Sequence, residues 1–179
     1  MLLRAPAFNQ IRPSQLTHGL REVREKAEAY AKLEGHELEM AIADKLVPIV
    51  YGPGEAPFAI DHHHVAAALW RAHVKRVPVV VVKDLSAYST NEFWLTMENN
   101  RWAYPYNALG KRVPFCEVRE FSWELEDDPL RSLSARVRDE GGYGKTSVPL
   151  EEFRWADFFR QTLPLPKNDA EFDSRSRKQ

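Results

Sequence analysis

The sequence predicts a small α/β domain of mixed α+β type, a small mixed sheet with helices around it. Three observations predict it. Apolar residues recur at helical spacing in an otherwise charged stretch: Leu20, Val23, Ala27, Tyr30 and Leu33. Residues 77–82 are valine except for Pro78, as expected of a strand. Between these stretches, Phe58-Ala59-Ile60, then Asp61-His62-His63-His64, then an Ala-rich run over 65–70, read as strand, tight turn and helix. A length of 179 residues suits one domain with a real core. We expect that domain over 1–163, with 164–179 as a mobile polar tail.

Taken in order, Ile11-Arg12-Pro13-Ser14-Gln15 reads as extended, because a residue before proline is pushed away from helix. A helix follows from Leu20, with Gly35 as its stop. Leu38 to Leu46 predicts a second helix. Residues 47–51 predict a strand, Gly52-Pro53-Gly54 a turn and residues 58–60 the returning strand. The helix after the histidine turn extends to about His73. The valine run of 77–82 predicts a strand buried on both faces. Residues 91–102 predict a helix carrying Phe93, Trp94 and Met97, and residues 104–110 a loop. Asp127-Asp128-Pro129 opens a helix well, with acids before the first turn and proline near N1; that helix stops at Gly141-Gly142. Residues 150–160 predict a last helix whose Phe153, Trp155, Phe158 and Phe159 belong to the core.

Composition excludes some function classes. Hydrophobic residues are 44% and charged residues 28%, with a formal net charge of −1, so the chain lacks the strongly basic balance of a dedicated nucleic-acid binder. The single cysteine, Cys116, forms no disulfide within the chain and suits a reducing cytoplasm. The first residues carry no signal-peptide apolar region, and the apolar runs are too short for a membrane. The expected location is therefore cytoplasmic, with no membrane partner.

Asp61-His62-His63-His64 carries the strongest chemical signal. It lies at a helix N-terminus, where unpaired N–H groups and the helix dipole favour an anion such as phosphate. Three imidazoles and a carboxylate add donors, acceptors and an acid–base near neutral pH. Phosphate or nucleotide handling, a metal site and a plain polar turn all remain open. Arg131 and Ser132, at the start of the helix after Asp128-Pro129, are candidates for a second anion contact, and Arg12 and Gln15 for the same rim. Gly144-Lys145-Thr146 ends like a phosphate-binding loop, but the glycine that the pattern needs is Asp139. Lys145 is left as an exposed loop lysine or a solitary phosphate contact. Glu126-Asp127-Asp128 reads as helix capping before it reads as a magnesium site.

Four separated motifs carry a family resemblance: Ile11-Arg12-Pro13-Ser14-Gln15; Asp61-His62-His63-His64; Asp127-Asp128-Pro129-Leu130-Arg131-Ser132-Leu133-Ser134; and Glu152-Phe153-Arg154-Trp155-Ala156-Asp157-Phe158. Together they resemble the ParB-like nuclease family, a branch of the ParB/sulfiredoxin superfamily, over roughly residues 9–160. The resemblance implies a ParB/sulfiredoxin-like fold with its phosphate-binding turn at the start of a helix. ParB partition proteins bind CTP through a Gly-Glu-Arg-Arg type turn; the matching stretch here is His62-His63-His64-Val65, without either arginine. Sulfiredoxin's catalytic cysteine falls at His63. The superfamily's free-serine kinases carry Asp-Gly-His-His-Arg, which Asp61, His63 and His64 match in part. Gln15 stands where those kinases place a catalytic glutamate, and Glu22 or Glu25 on the following helix is the substitute.

These readings converge on an enzyme of phosphate chemistry that binds a nucleotide or phosphorylated small molecule at the Asp61–His64 turn. His63, His64 and Asp61 are the catalytic candidates. His62, Arg12, Gln15, Arg131 and Ser132 are the phosphate- or nucleotide-binding candidates. Magnesium accompanying a nucleotide is the cofactor this chemistry allows, and no metal ligand set is assigned. Phosphodiester hydrolysis and phosphoryl transfer both remain open. The alternatives are a non-catalytic nucleic-acid-binding, partition-like module and a nucleotide-dependent kinase of free-serine type.

Overall fold

The computed structural model describes residues 10–43, 45–75, 77–166 and 169–176. In chain order the elements are β1 (Thr17–His18), α1 (Leu20–Tyr30), α2 (Gly35–Ala43), β2 (Val47–Gly52), β3 (Ala56–Ala59), α3 (His63–Arg71), β4 (Val79–Asp84), α4 (Thr90–Asn99), β5 (Glu126–Asp127), α5 (Pro129–Asp139), α6 (Glu151–Thr162) and α7 (Asp169–Ser176). The mixed α/β class expected from the sequence is the class observed.

The main sheet has the order β3-β2-β4, with β2 antiparallel to β3 and parallel to β4. A second, two-stranded sheet pairs β1 with β5 in parallel, Thr17 opposite Glu126 and His18 opposite Asp127. The extended segment before α1 ties the two together. Arg12 bridges Phe58 on β3, Gln15 bridges Tyr104, and the chain then enters β1.

Three apolar clusters make the core. In the first, Val23, Ala27 and Tyr30 of α1 and Val65 to Leu69 of α3 pack against Val47, Ile49 and Ala59 of the sheet. Three buried alanines, Ala66, Ala67 and Ala68, let α3 lie close to its neighbours. The second gathers Val50, Phe58, Phe93 and Met97 beneath α4, which begins with a full capping box between Ser89 and Glu92. The third joins Leu130 and Leu133 of α5 to Phe159 of α6 and Phe172 of α7.

Several expectations are corrected. β4 is an edge strand that buries only one face: Val80 is 43% and Val82 49% exposed, while Val79 and Val81 pack against the first cluster. A valine run looks the same whether one or both faces are covered; the topology decides. Gly35 does not end α1, which stops at Tyr30. With φ at +50° it opens α2 instead. Phe158 lies on the outer side of α6, 49% exposed, so of the four aromatics there only Phe153 and Phe159 are buried. The stretch expected as a polar tail contains α7, whose Phe172 is buried in the third cluster. The tail positions 167, 168 and 177–179, and residues 1–9, lie outside the described residues.

Candidate functional site

The first turns of four helices line one cleft of about 760 Å³. Glu22 comes from α1, His63 and His64 from α3, Arg131 from α5, and Glu151, Glu152 and Phe153 from α6. Local chemistry brings these ends together. Asp128 caps α5, its Oδ1 accepting from the N–H groups of Leu130 (3.0 Å) and Arg131 (3.3 Å), and Pro129 sits in the first turn. The start of α1 is pinned beside it, since Leu20 N–H donates to Asp127 Oδ1 at 2.9 Å. Gly19 makes this approach possible: a Cβ there would lie 2.8 Å from Ser132 Oγ and 3.0 Å from the Ser132 backbone nitrogen. The acidic run expected mainly as capping is used so, with Asp128 also pairing Arg160 at 2.6 Å and Glu126 pairing Arg119 at 3.3 Å.

His62 precedes α3, and its φ of +57° turns the chain sharply into the helix. His62 makes no side-chain cap. Asp61 Oδ1 accepts from the His62 N–H at 2.7 Å, closing the turn. The three histidines then diverge. His62 Nδ1 lies 2.8 Å from the Leu46 carbonyl, so it donates there and its ring lines the wall. His63 points inward and is 3% exposed; its Nε2 accepts from the Ser14 N–H at 3.1 Å, beside Ser14 Oγ at 3.3 Å. Burial pushes the His63 pKa down to about 3, against Asp61 and a backbone bond to Ala59, which act to raise it. His63 is thus a neutral clamp between the turn and the 11–18 segment. His64 faces the cleft, its Nε2 3.5 Å from Glu22 Oε1.

Around Glu22 the charges form one network. Its Oε1 is 3.5 Å from Lys26 Nζ and its Oε2 3.5 Å from Arg131 Nη1. Arg131 Nη2 reaches Glu152 Oε1 at 4.0 Å, and Glu152 is bonded by Arg138 Nη1. Burial would raise the Glu22 pKa, but His64 when protonated, Arg131, Lys26 and Arg138 together hold it down at about 2. Burial, followed by the fields of Arg131 and Lys26, lowers His64 to about 4 against the pull of Glu22. At neutral pH His64 is therefore an uncharged imidazole beside a carboxylate, and the three cations carry the task of holding Glu22.

The network is close but not closed. Glu22 Oε2, Arg131 Nη1 and His18 Nδ1 are buried and without a hydrogen-bond partner among the described residues. Arg131 is 6% and His18 2% exposed. Buried charged and polar atoms left in that state are costly. The lining also carries six Lys and Arg side chains against four Asp and Glu, in a chain whose net charge is −1.

Of the residues expected to act together, the cleft gathers Asp61, His62, His63, His64, Gln15 and Arg131. Gln15 is 8% exposed and donates its Nε2–H to the Thr17 carbonyl at 2.8 Å. Two expected contacts lie elsewhere. Arg12 is exposed and sits over the Phe58 ring, 6.0 Å from its centroid. Ser132 is buried against Gly19, beneath the lining. Glu22, held only as a substitute, lies at the centre, while Glu25 is exposed outside the cleft. His18, Lys26, Arg138 and Glu152 were missed. Their places in the first turns of α1 and α6 are the signal that could have found Glu22 and Glu152. Among the described residues, no group of three or more His, Cys, Asp or Glu side chains is gathered to hold a metal ion.

A family model described as "Putative ParB-like nuclease" matches residues 6–161. No curated protein matches the chain. The crystal structure of the protein Atu1540 from Agrobacterium tumefaciens is similar at a TM-score of 0.85 and 31% identity, covering 98% of this chain and 90% of that one.

Proposed function

The chain belongs to the ParB-like nuclease family, and from that premise we propose that it is an enzyme of phosphate chemistry whose cleft binds a nucleotide or phosphorylated small molecule. The observation that supports this reading most is Arg131: a guanidinium 6% exposed, one Nη without a hydrogen-bond partner, at a cleft lined by the first turns of four helices. A phosphoryl group suits that site. It accepts from Arg131 Nη1 and meets the N-terminal turn of α3.

In this reading His64 and Glu22 form the acid–base pair. Glu22 holds the Nε2–H side of the ring, which leaves Nδ1 to take a proton from the attacking water or hydroxyl. Glu22 then stabilises the imidazolium. Bound phosphate opposes the fields of Arg131 and Lys26, so it raises the His64 pKa from about 4 toward the working range. Arg131 neutralises charge developing on the phosphoryl oxygens. His63 positions the turn and takes no proton. Where the reaction needs magnesium, Asp61, the exposed carboxylate of the turn, would be the residue to hold it, and the ion would supply charge neutralisation. Hydrolysis and transfer to a small hydroxyl acceptor use the same groups, and the product separates them.

The test is isothermal titration of ATP, ADP and CTP, each with and without magnesium. We expect wild-type protein to bind at least one of them, and Arg131→Met to weaken that binding at least about tenfold, as loss of a buried charge-assisted contact should. His64→Asn should bind within about threefold of wild type yet lose turnover by about a hundredfold or more. Failure to bind any nucleotide or simple phosphoester under all conditions would sink the reading.

A further inference from the structure

One face of the main sheet is only half covered. Strand alternation sends Val47, Ile49, Val79 and Val81 into the first cluster. The opposite face carries Phe58 opposite Val50, and these two pack with Phe93 and Met97 of α4. The next row on that face is Ile60, Pro48 and Val80. Pro48 lies opposite Val80, and its carbonyl accepts from the Ile60 N–H at 2.9 Å. This row is open to solvent on its β4 side, where Val80 is 43% and Val82 49% exposed.

The open row is continuous with the cleft. Pro48, Ile60 and Val82 line it together with Arg131 and His64, and the exposed Val148 adds a further apolar side chain to the same lining. The cleft therefore joins a polar end to an apolar shelf. The side chains of the shelf offer no hydrogen bond. Pro48 has no N–H, and its carbonyl is already occupied by Ile60. A nucleobase laid on these side chains would lose water from its polar edge and gain no partner from them. A plain aromatic ring or an alkyl chain loses nothing there and shields the valines from water.

We propose that this shelf binds the apolar body of the cleft's ligand, and that the ligand is an aryl or alkyl phosphoester in preference to a nucleotide. This inference rests on the phosphate reading of the cleft.

The experiment is isothermal titration of 1-naphthyl phosphate, methyl phosphate and AMP on wild type and on the double variant Val80→Thr with Val82→Thr. Threonine keeps the shape and strand preference of valine and adds a hydroxyl, and an unchanged denaturation midpoint checks the fold. We expect wild type to bind 1-naphthyl phosphate at least about tenfold tighter than either methyl phosphate or AMP, from the apolar area it buries. The double variant should weaken 1-naphthyl phosphate about fivefold and leave methyl phosphate within twofold. Arg131→Met should weaken both phosphoesters alike, which puts them at one site. If 1-naphthyl phosphate binds no tighter than methyl phosphate or AMP, or loses nothing in the double variant, the inference is overturned and the phosphate reading stands. The same holds if sedimentation shows a wild-type dimer that the double variant dissolves, since the shelf is then a contact between two copies. If wild type binds none of the three ligands, the phosphate reading itself falls, and this inference with it.

Discussion

His63 and His64 are chain neighbours with opposite fates. Successive helical positions are rotated by about 100°, so the two rings leave α3 in different directions once it packs on α1. The structure turns His63 inward. Removing its ring strands the buried Ser14 N–H and leaves a void, so we expect His63→Ala to lose about 3 kcal/mol in urea denaturation. His64→Ala, at a part-exposed position, should lose under about 1 kcal/mol. A reversed ranking would show that the inward and outward assignments are exchanged. The motif placed all three histidines at a helix start, and that much was legible. Which ring meets the ligand was not, because it depends on where Ser14 lies, and Ser14 is placed by partners far along the chain. Arg12 and Ser132 were misplaced for the same reason: adjacency to a site residue in sequence does not tell which way a side chain leaves the backbone.

At the level of elements, amphipathic spacing and capping chemistry were the readable signals. α1, α3, α5 and α6 follow their apolar periods, and Asp128-Pro129 opens α5 as anticipated. The same caps place four first turns around one cleft, so Glu22 and Glu152 were recoverable from helix starts, but only once the packing of those starts was known. α7 was not readable. Its apolar content is slight, and its helical state depends on docking Phe172 into the third cluster, with the Arg21 guanidinium 4.3 Å from that ring's centroid. We expect Phe172→Ala to lower stability by about 3 kcal/mol and to expose 169–176 to protease. An unchanged denaturation midpoint would mean that α7 adds nothing to the fold. β4 teaches the converse: its strand state was plain from composition, but its place at the sheet edge was not, since four valines look alike in either position.

Across the whole molecule, three of the six histidines are held neutral by the fold. His18, His63 and His64 have pKa values of about 4, 3 and 4, each lowered first by burial. The unfolded chain takes up protons on these residues near the ordinary value of 6.5, and the folded chain does not. Stability therefore falls as pH drops below about 6.5, by up to about 1.4 kcal/mol per pH unit for each such histidine. Glu22, held at about 2, adds its own loss only below its ordinary value of 4.5. We expect the urea midpoint to be flat from pH 8 to 7 and to fall steeply from pH 6.5 to 5, with His63→Gln less steep than wild type. A midpoint unchanged down to pH 5 would show that these rings are not buried in neutral form.

The extended segment before α1 bears on how the molecule comes into being. Ser14 bonds His63 and Trp102, and Leu20 bonds Asp127, partners 49, 88 and 107 positions downstream. Chains dominated by such distant pairings reach their final form slowly, because long loops must close before the pairing rewards them. During synthesis the opening segment can meet Phe58 and His63 first, but it gains its full set of partners only once residue 127 has left the ribosome. The cleft, which needs Arg131 and Glu152 as well, is among the last parts to appear. A growing chain therefore has no complete cleft until residue 152 has been made.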